Sequence, residues 1–212
     1  MHRIAGRTRL GTLTRVDKEL DMDVTTLHRR TVDSWLRTLE GVGQDQWSRA
    51  TPCSEWDVRA LVNHVAGEER WIRPLLDGKT IADVGDSLEG DLLGDRPTEA
   101  GADAGRDALA AVDDLLAPNQ QVHLSYGDED AREYLTQIAA DHLIHTWDLA
   151  TATGQHAALD PEIVDAVAAW FADREEMYRS VGAIGPRGPL TGDRQADLLA
   201  AFGRQAGGTA PD

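Results

Sequence analysis

"DHLIHTWDLATATG", Asp141–Gly154, sets two histidines between two aspartates, adds a tryptophan and ends on a glycine. The helical pattern around it reaches back to Ala131, and glycine is the favoured residue at the left-handed position that closes a helix. The reading is one long helix over Ala131–Thr153 with Gly154 as its C-cap. On such a helix Asp141 and His145 stand four residues apart, so they leave the same face one turn from each other. Two explanations fit so much titratable chemistry on so few turns. The polar residues line a wet helix face, or Asp141 and His145 are two ligands of one metal ion.

Helical periodicity dominates on either side of this stretch. A first helix over Asp23–Leu39 gathers Val24, Leu27, Val32, Trp35 and Leu39 on one face. A second runs from about Asp57 to Leu76, with Ser54 as N-cap, Asp57 three residues on in near-capping-box spacing, and an apolar stripe of Val58, Leu61, Val62, Val65, Ile72 and Leu75. Pro97 suits the first turn of a third helix ending near Leu116. After the Ala131–Thr153 helix, Pro161 opens another that continues through Val164, Val167 and Trp170 to about Tyr178. "RQADLLAAFGR" is a short last helix. Between these, "DGKTIADVGDSLEGDLLGD" reads as a long loop and "QVHLSY" as a short strand. The expected fold is therefore an all-α bundle of four long helices with long connections, an extra C-terminal helical segment and at most one short strand or hairpin. A long connection is expected to cross the bundle or frame a site.

The chain has 212 residues and a formal charge of −16. That length suits one domain, taken as residues 22–205. Residues 1–21 are basic, lack an apolar repeat and precede a second methionine, Met22; they read as a loosely ordered extension or a consequence of start-site choice, and 206–212 as a flexible tail. No basic run marks a nucleic-acid or anionic-membrane surface. No apolar run is long enough for a transmembrane helix, and the first residues lack the apolar core of a secretory signal. The one cysteine, Cys53, rules out an intrachain disulfide and a cysteine zinc cluster, and fits a reducing cytoplasm. The expected partners are small molecules, with a homodimer left open.

A metal site needs a third ligand, and the second helix offers His64 in "LVNHVAGEER", at the border of the apolar stripe where a side chain points into a bundle. Two histidines and a carboxylate leave coordination positions open, the pattern of a catalytic rather than a structural site. Glu68, four residues beyond His64, is a candidate fourth ligand or general base; a solvated charge is the plainer reading. Asp148, three residues beyond His145, is a candidate for orienting that ring, or equally for a backbone or arginine contact. His142 points elsewhere round the helix and is read as a neighbour of the site or a surface group, and as the substitute ligand should Asp141 prove too short. Trp147 reads as core, Trp56 and Trp71 as core or pocket wall, and Cys53 as a small buried residue rather than a reactive thiolate. His28, His123 and His156 have no assignable partner.

"TPCSEWDVRALVNHVAG" together with "DHLIHTWDLATATG" resembles the DinB-like superfamily. More narrowly, it resembles the actinobacterial branch related to the N-terminal domain of mycothiol-dependent maleylpyruvate isomerase, over roughly residues 24–204. The resemblance implies a four-helix bundle that binds a divalent metal, zinc first with nickel or iron as alternatives, through His64, Asp141 and His145. Aspartate stands at position 141 where glutamate is the ligand in the isomerase; it is one methylene shorter, which bears on reach and metal preference. The implied function is a thiol transferase or isomerase that takes mycothiol as co-substrate and acts on an electrophile. Nothing in the ligand count distinguishes thiol from water as nucleophile, so a metal-dependent hydrolase and a non-catalytic metal- or ligand-binding bundle stay open. The isomerase has a further C-terminal domain for which this chain has little room, and that weighs against maleylpyruvate itself as substrate.

Overall fold

The segment Ala131–Thr153 is helix α5, capped by the Asp130 carboxylate on the Arg132 and Glu133 N–H groups and closed by Gly154 at φ 72°. It is buried on nearly every side, including the polar His142, His145, Thr146 and Asp148. A helix buried all round is the centre of its fold rather than a wall of it, so each of these polar groups must find its partner inside the protein. The computed structural model that shows this describes residues 22–54, 56–180, 182 and 184–205. The expected N-terminal extension, 1–21, and tail, 206–212, lie outside the described residues.

Around α5 stand α1 (Val24–Glu40), α2 (Val58–Leu76) and α4 (Pro97–Leu115). α1 packs on α5 and α4, and α2 packs on α4 and α5, which closes a ring of four long helices. α4 is built of small residues on its inner face, Gly101, Ala102, Ala104, Gly105, Ala108 and Ala111. A Cβ on Gly101 would come within 2.9 Å of Leu39 and one on Gly105 within 3.0 Å of the Glu69 carboxylate, so the absence of side chains there lets α1 and α2 approach closely. α6 (Pro161–Phe171), α7 (Glu175–Ser180) and α8 (Arg194–Ala201) complete the helices, with α6 and α8 packed on each other. Trp147 lies in the core that α5 shares with α6 and α8.

The all-α expectation holds among the described residues: eight helices and one two-stranded hairpin. Three local readings are corrected, and the expected short strand gains a partner. The N-cap of α2 is Asp57, which accepts the Ala60 N–H at 2.8 Å; Ser54 lies in a separate turn before it. The connection after α2 contains a one-turn helix, α3 (Ile81–Val84), because Thr80 and Asp83 form a complete capping box. The reading of "QVHLSY" finds β1 in Gln121–Leu124, which pairs with a polar β2 in Gly127–Asp130 that carries no apolar signal. The helix opened by Pro161 does not run to Tyr178. It stops at Phe171, and the chain turns so that Arg174 reaches Glu133 on α5 before α7 begins.

Two features place the site. Asn63 on α2 holds the long connection through its side chain, donating to the Gly90 carbonyl at 2.9 Å and accepting the Leu92 N–H at 2.8 Å. Arg59 adds bonds to Asp91 and the Gly94 carbonyl. In front of α2, Thr51 shapes the "TPCSEWD" turn: its hydroxyl donates to the Trp56 carbonyl at 2.9 Å and accepts the Cys53 N–H at 3.2 Å.

Candidate metal centre

His64 projects from α2, and Asp141 and His145 from α5, and one donor atom of each lies within 4.8 Å of the other two. The Asp141 Oδ2 is 3.3 Å from His64 Nε2 and 3.4 Å from His145 Nε2. A tetrahedral ion with bonds of about 2.0–2.1 Å needs neighbouring donors roughly 3.3 Å apart, so both measured edges suit one. The shorter aspartate therefore reaches both imidazoles without help. The centre is open on one side: the side chains of His64 and Asp141 are 29% and 36% exposed, while His145 is 6% exposed.

His145 is fixed from behind. Its Nδ1 lies 2.9 Å from Asp148 Oδ2, and with the proton on Nδ1 the Nε2 lone pair faces Asp141 and His64. Asp148 is fully buried and is held by Arg204, which donates from Nε to Oδ1 at 2.9 Å and from Nη2 to Oδ2 at 2.8 Å. Arg204 follows α8, so the end of the described chain folds back to brace a ring on α5. Trp56 covers the pair of imidazoles, its ring centroid 4.5 Å from that of His64 and 5.6 Å from that of His145.

The electrostatics ask for positive charge. Burial alone would lower the His145 pKa, but Asp141 and then Asp148 outweigh it and hold it up at about 10. Burial works to raise Asp141, yet His145 and His64 keep it well below the ordinary carboxylate range. A proton on His145 satisfies this arrangement, and a divalent cation would displace that proton. Glu68 Oε1 lies 3.7 Å from His64 Nε2. Burial, together with repulsion from Asp141, raises Glu68 well above its usual range, and its Oε2 has no hydrogen-bond partner among the described residues. Burial and Asp141 thus favour the protonated form of Glu68 at the rim.

Other sequence candidates fall elsewhere. His142 points away from the centre into the bundle, its Nδ1 2.7 Å from the Ile138 carbonyl and its Nε2 3.0 Å from Glu69 Oε1, both side chains fully buried. His28 is also fully buried, its ring set edge-on to His142 at 6.3 Å between centroids. His123 pairs with Asp128 across the hairpin at 2.7 Å. His156 is exposed. Trp71 packs against the core beneath the hairpin. Cys53 is half-buried and is not at the start of α2; burial pushes its thiol up, against a reactive thiolate. Arg204 and Glu69 escaped the sequence reading. A basic residue after the last helix and an acidic one beside Glu68 carry no local mark of a buried partner far along the chain.

Comparison with known proteins gives a consistent picture. Residues 28–150 match the family described as the mycothiol maleylpyruvate isomerase N-terminal domain. Two proteins of Mycobacterium tuberculosis, one from each of two strains and both named as uncharacterized, are 32% identical over 193 residues, which is 85% of this chain and 97% of theirs. A crystal structure of a mutant of mycothiol-dependent maleylpyruvate isomerase superposes with a TM-score of 0.51 at 16% identity, covering 70% of this chain and 68% of that one. That likeness is one of fold. No helix among the described residues is long and apolar enough to cross a membrane.

Proposed function

The chain belongs to the mycothiol maleylpyruvate isomerase N-terminal domain family, and on that premise we propose that it is a metal-dependent enzyme of low-molecular-weight thiol chemistry, a mycothiol-using transferase or isomerase. The observation that carries this reading is the convergence of His64 Nε2, Asp141 Oδ2 and His145 Nε2 at the open end of a buried, charge-demanding centre. These three residues would hold a divalent ion, zinc before nickel or iron. Such an ion would supply Lewis acidity, so that a thiol entering an open position binds as the thiolate.

The protein's own groups divide the remaining work. Two neutral imidazoles and one carboxylate leave a dication with a net charge of one, which favours an anionic sulfur over a neutral ligand. Asp148, backed by Arg204, keeps the His145 proton on Nδ1 and its lone pair forward. Trp56 shields the imidazoles on one flank and keeps water from that side. Glu68, at the rim with Oε2 unpartnered, would serve as the acid that delivers a proton to the product carbon. The electrophile is a small molecule whose class the centre does not specify.

Calorimetric titration of mycothiol into zinc-loaded protein, repeated in buffers of different ionisation enthalpy, tests the reading. The expected result is binding with release of close to one proton near neutral pH. Absence of binding at millimolar thiol, with the metal still in place, would overturn it.

A further inference from the structure

A concave surface with a volume of about 890 Å³ lies between the hairpin, α5 and the segment from Arg174 to Tyr178. This is within the range of small-molecule sites. It touches α5 at Glu133 and Gln137. Gln137 is one turn before Asp141 on the same face of the helix, so the surface runs towards the metal ligands. From Asp141 back to Glu133 is eight residues, about 12 Å at 1.5 Å per residue.

The lining is aromatic and apolar with a polar rim. Tyr126 and Met177 stand 66% and 52% exposed, and Tyr178 stands with them. The Tyr126 hydroxyl donates to Gln137 Oε1 at 3.3 Å, and the Gln137 amide adds N–H donors to the lining. Arg174 is the cation of the lining, and it is committed: it donates to both Glu133 oxygens at 2.7 and 2.8 Å, and lies over the Trp170 ring at 4.9 Å. Glu133 in turn accepts the Trp170 indole N–H. Glu129 adds a further carboxylate. An anionic electrophile would meet a net negative wall with no guanidinium to receive it.

We propose that this cleft binds the polyhydroxylated, sugar-bearing end of the thiol whose sulfur enters the metal centre. The proposal rests on the thiol reading above. Mycothiol is an N-acetylcysteine joined to a glucosamine and an inositol, so it offers two rings whose C–H faces suit tyrosine rings and whose hydroxyls suit an amide and a carboxylate. A cysteine amide followed by two rings has a length comparable with the run from Asp141 to Glu133. The uncharged rings also avoid the repulsion that an acid would meet.

The test uses the full chain loaded with zinc and three probes: mycothiol, N-acetylcysteine, and the thiol-free N-acetylglucosaminyl-inositol, whose rings are uncharged as in mycothiol. Calorimetry compares wild type with Tyr126→Ala, a substitution at an exposed position that should leave folding intact. The expected result is a loss of mycothiol affinity of roughly three- to tenfold, with N-acetylcysteine unchanged. In amide NMR, the thiol-free sugar should shift the signals of Tyr126, Gln137 and Tyr178. If mycothiol binds both proteins equally and the sugar leaves those signals in place, the cleft is overturned while the thiol reading stands. If neither thiol binds, the thiol reading falls, and the sugar titration alone decides the cleft: shifts at those three residues support it and their absence overturns it.

Discussion

His28 should make this protein less stable as pH falls from neutral. Its ring is fully buried between α1 and α5, and neither ring nitrogen has a hydrogen-bond partner among the described residues. Burial first, then His142 and Arg29, pull its pKa down to about 3, with only Asp113 opposing. The unfolded chain has an ordinary histidine near pH 6.5. Below that pH the unfolded state takes up a proton that the folded state refuses, so stability is intact above about 6.5 and is lost as pH falls towards 3. The slope is about 1.4 kcal/mol per pH unit, or roughly 2.7 kcal/mol by about pH 4.5. For a chain of this size that is a fall in Tm of about 5–11 °C from this residue alone. The assay is thermal unfolding of wild type and His28→Leu across about pH 4.5–7.5. Leucine replaces an unpaired imidazole with an apolar group, so the variant should gain over wild type increasingly as pH drops. His145 has the opposite sign, since its raised pKa gives stability that is present below about 6.5 and lost as pH rises towards about 10. It is common to both proteins and cancels in the difference. A Tm difference that stays constant across the range would refute the reasoning.

Asp148→Asn should lower metal affinity by roughly 10–100-fold, because the carboxylate behind His145 sets its tautomer and basicity; competition with a chromophoric chelator measures it, and unchanged affinity would count against the bracing role. Arg204→Ala leaves a fully buried carboxylate short of its guanidinium and should cost about 3 kcal/mol, or about 6–12 °C in Tm, while affecting metal affinity less than Asp148→Asn does. Gly105→Ala puts a methyl 3.0 Å from Glu69 Oε1, which His142 pins in place, and overpacking of about 1–3 kcal/mol should outweigh the roughly 1 kcal/mol gained in helix propensity. A more stable alanine variant in thermal melts would mean that Glu69 yields.

The sequence shows the helices where an apolar face recurs at helical spacing, as in α1, α2 and the first turns of α6. It also shows the His64, Asp141 and His145 set, because i, i+4 spacing on one helix and a histidine at the edge of a stripe on another are local signals. Other features leave none. β2 is "GDED", four residues chosen by pairing with β1 rather than by burial. The break after Phe171 is marked by Arg174 turning to Glu133, a partner on another helix. Arg204 meets Asp148 only through the fold. α5 misleads in a different way: its buried polar residues look like a wet face, yet Glu69, Asp148 and backbone carbonyls partner them within the core.

The central claim is that His64, Asp141 and His145 hold one divalent ion. Elemental analysis after zinc loading and exhaustive dialysis tests it, on wild type and on a His64→Ala, His145→Ala double variant whose circular dichroism remains helical. The account predicts close to one ion per chain in the wild type and almost none in the double variant. Equal metal content in the two proteins would contradict it.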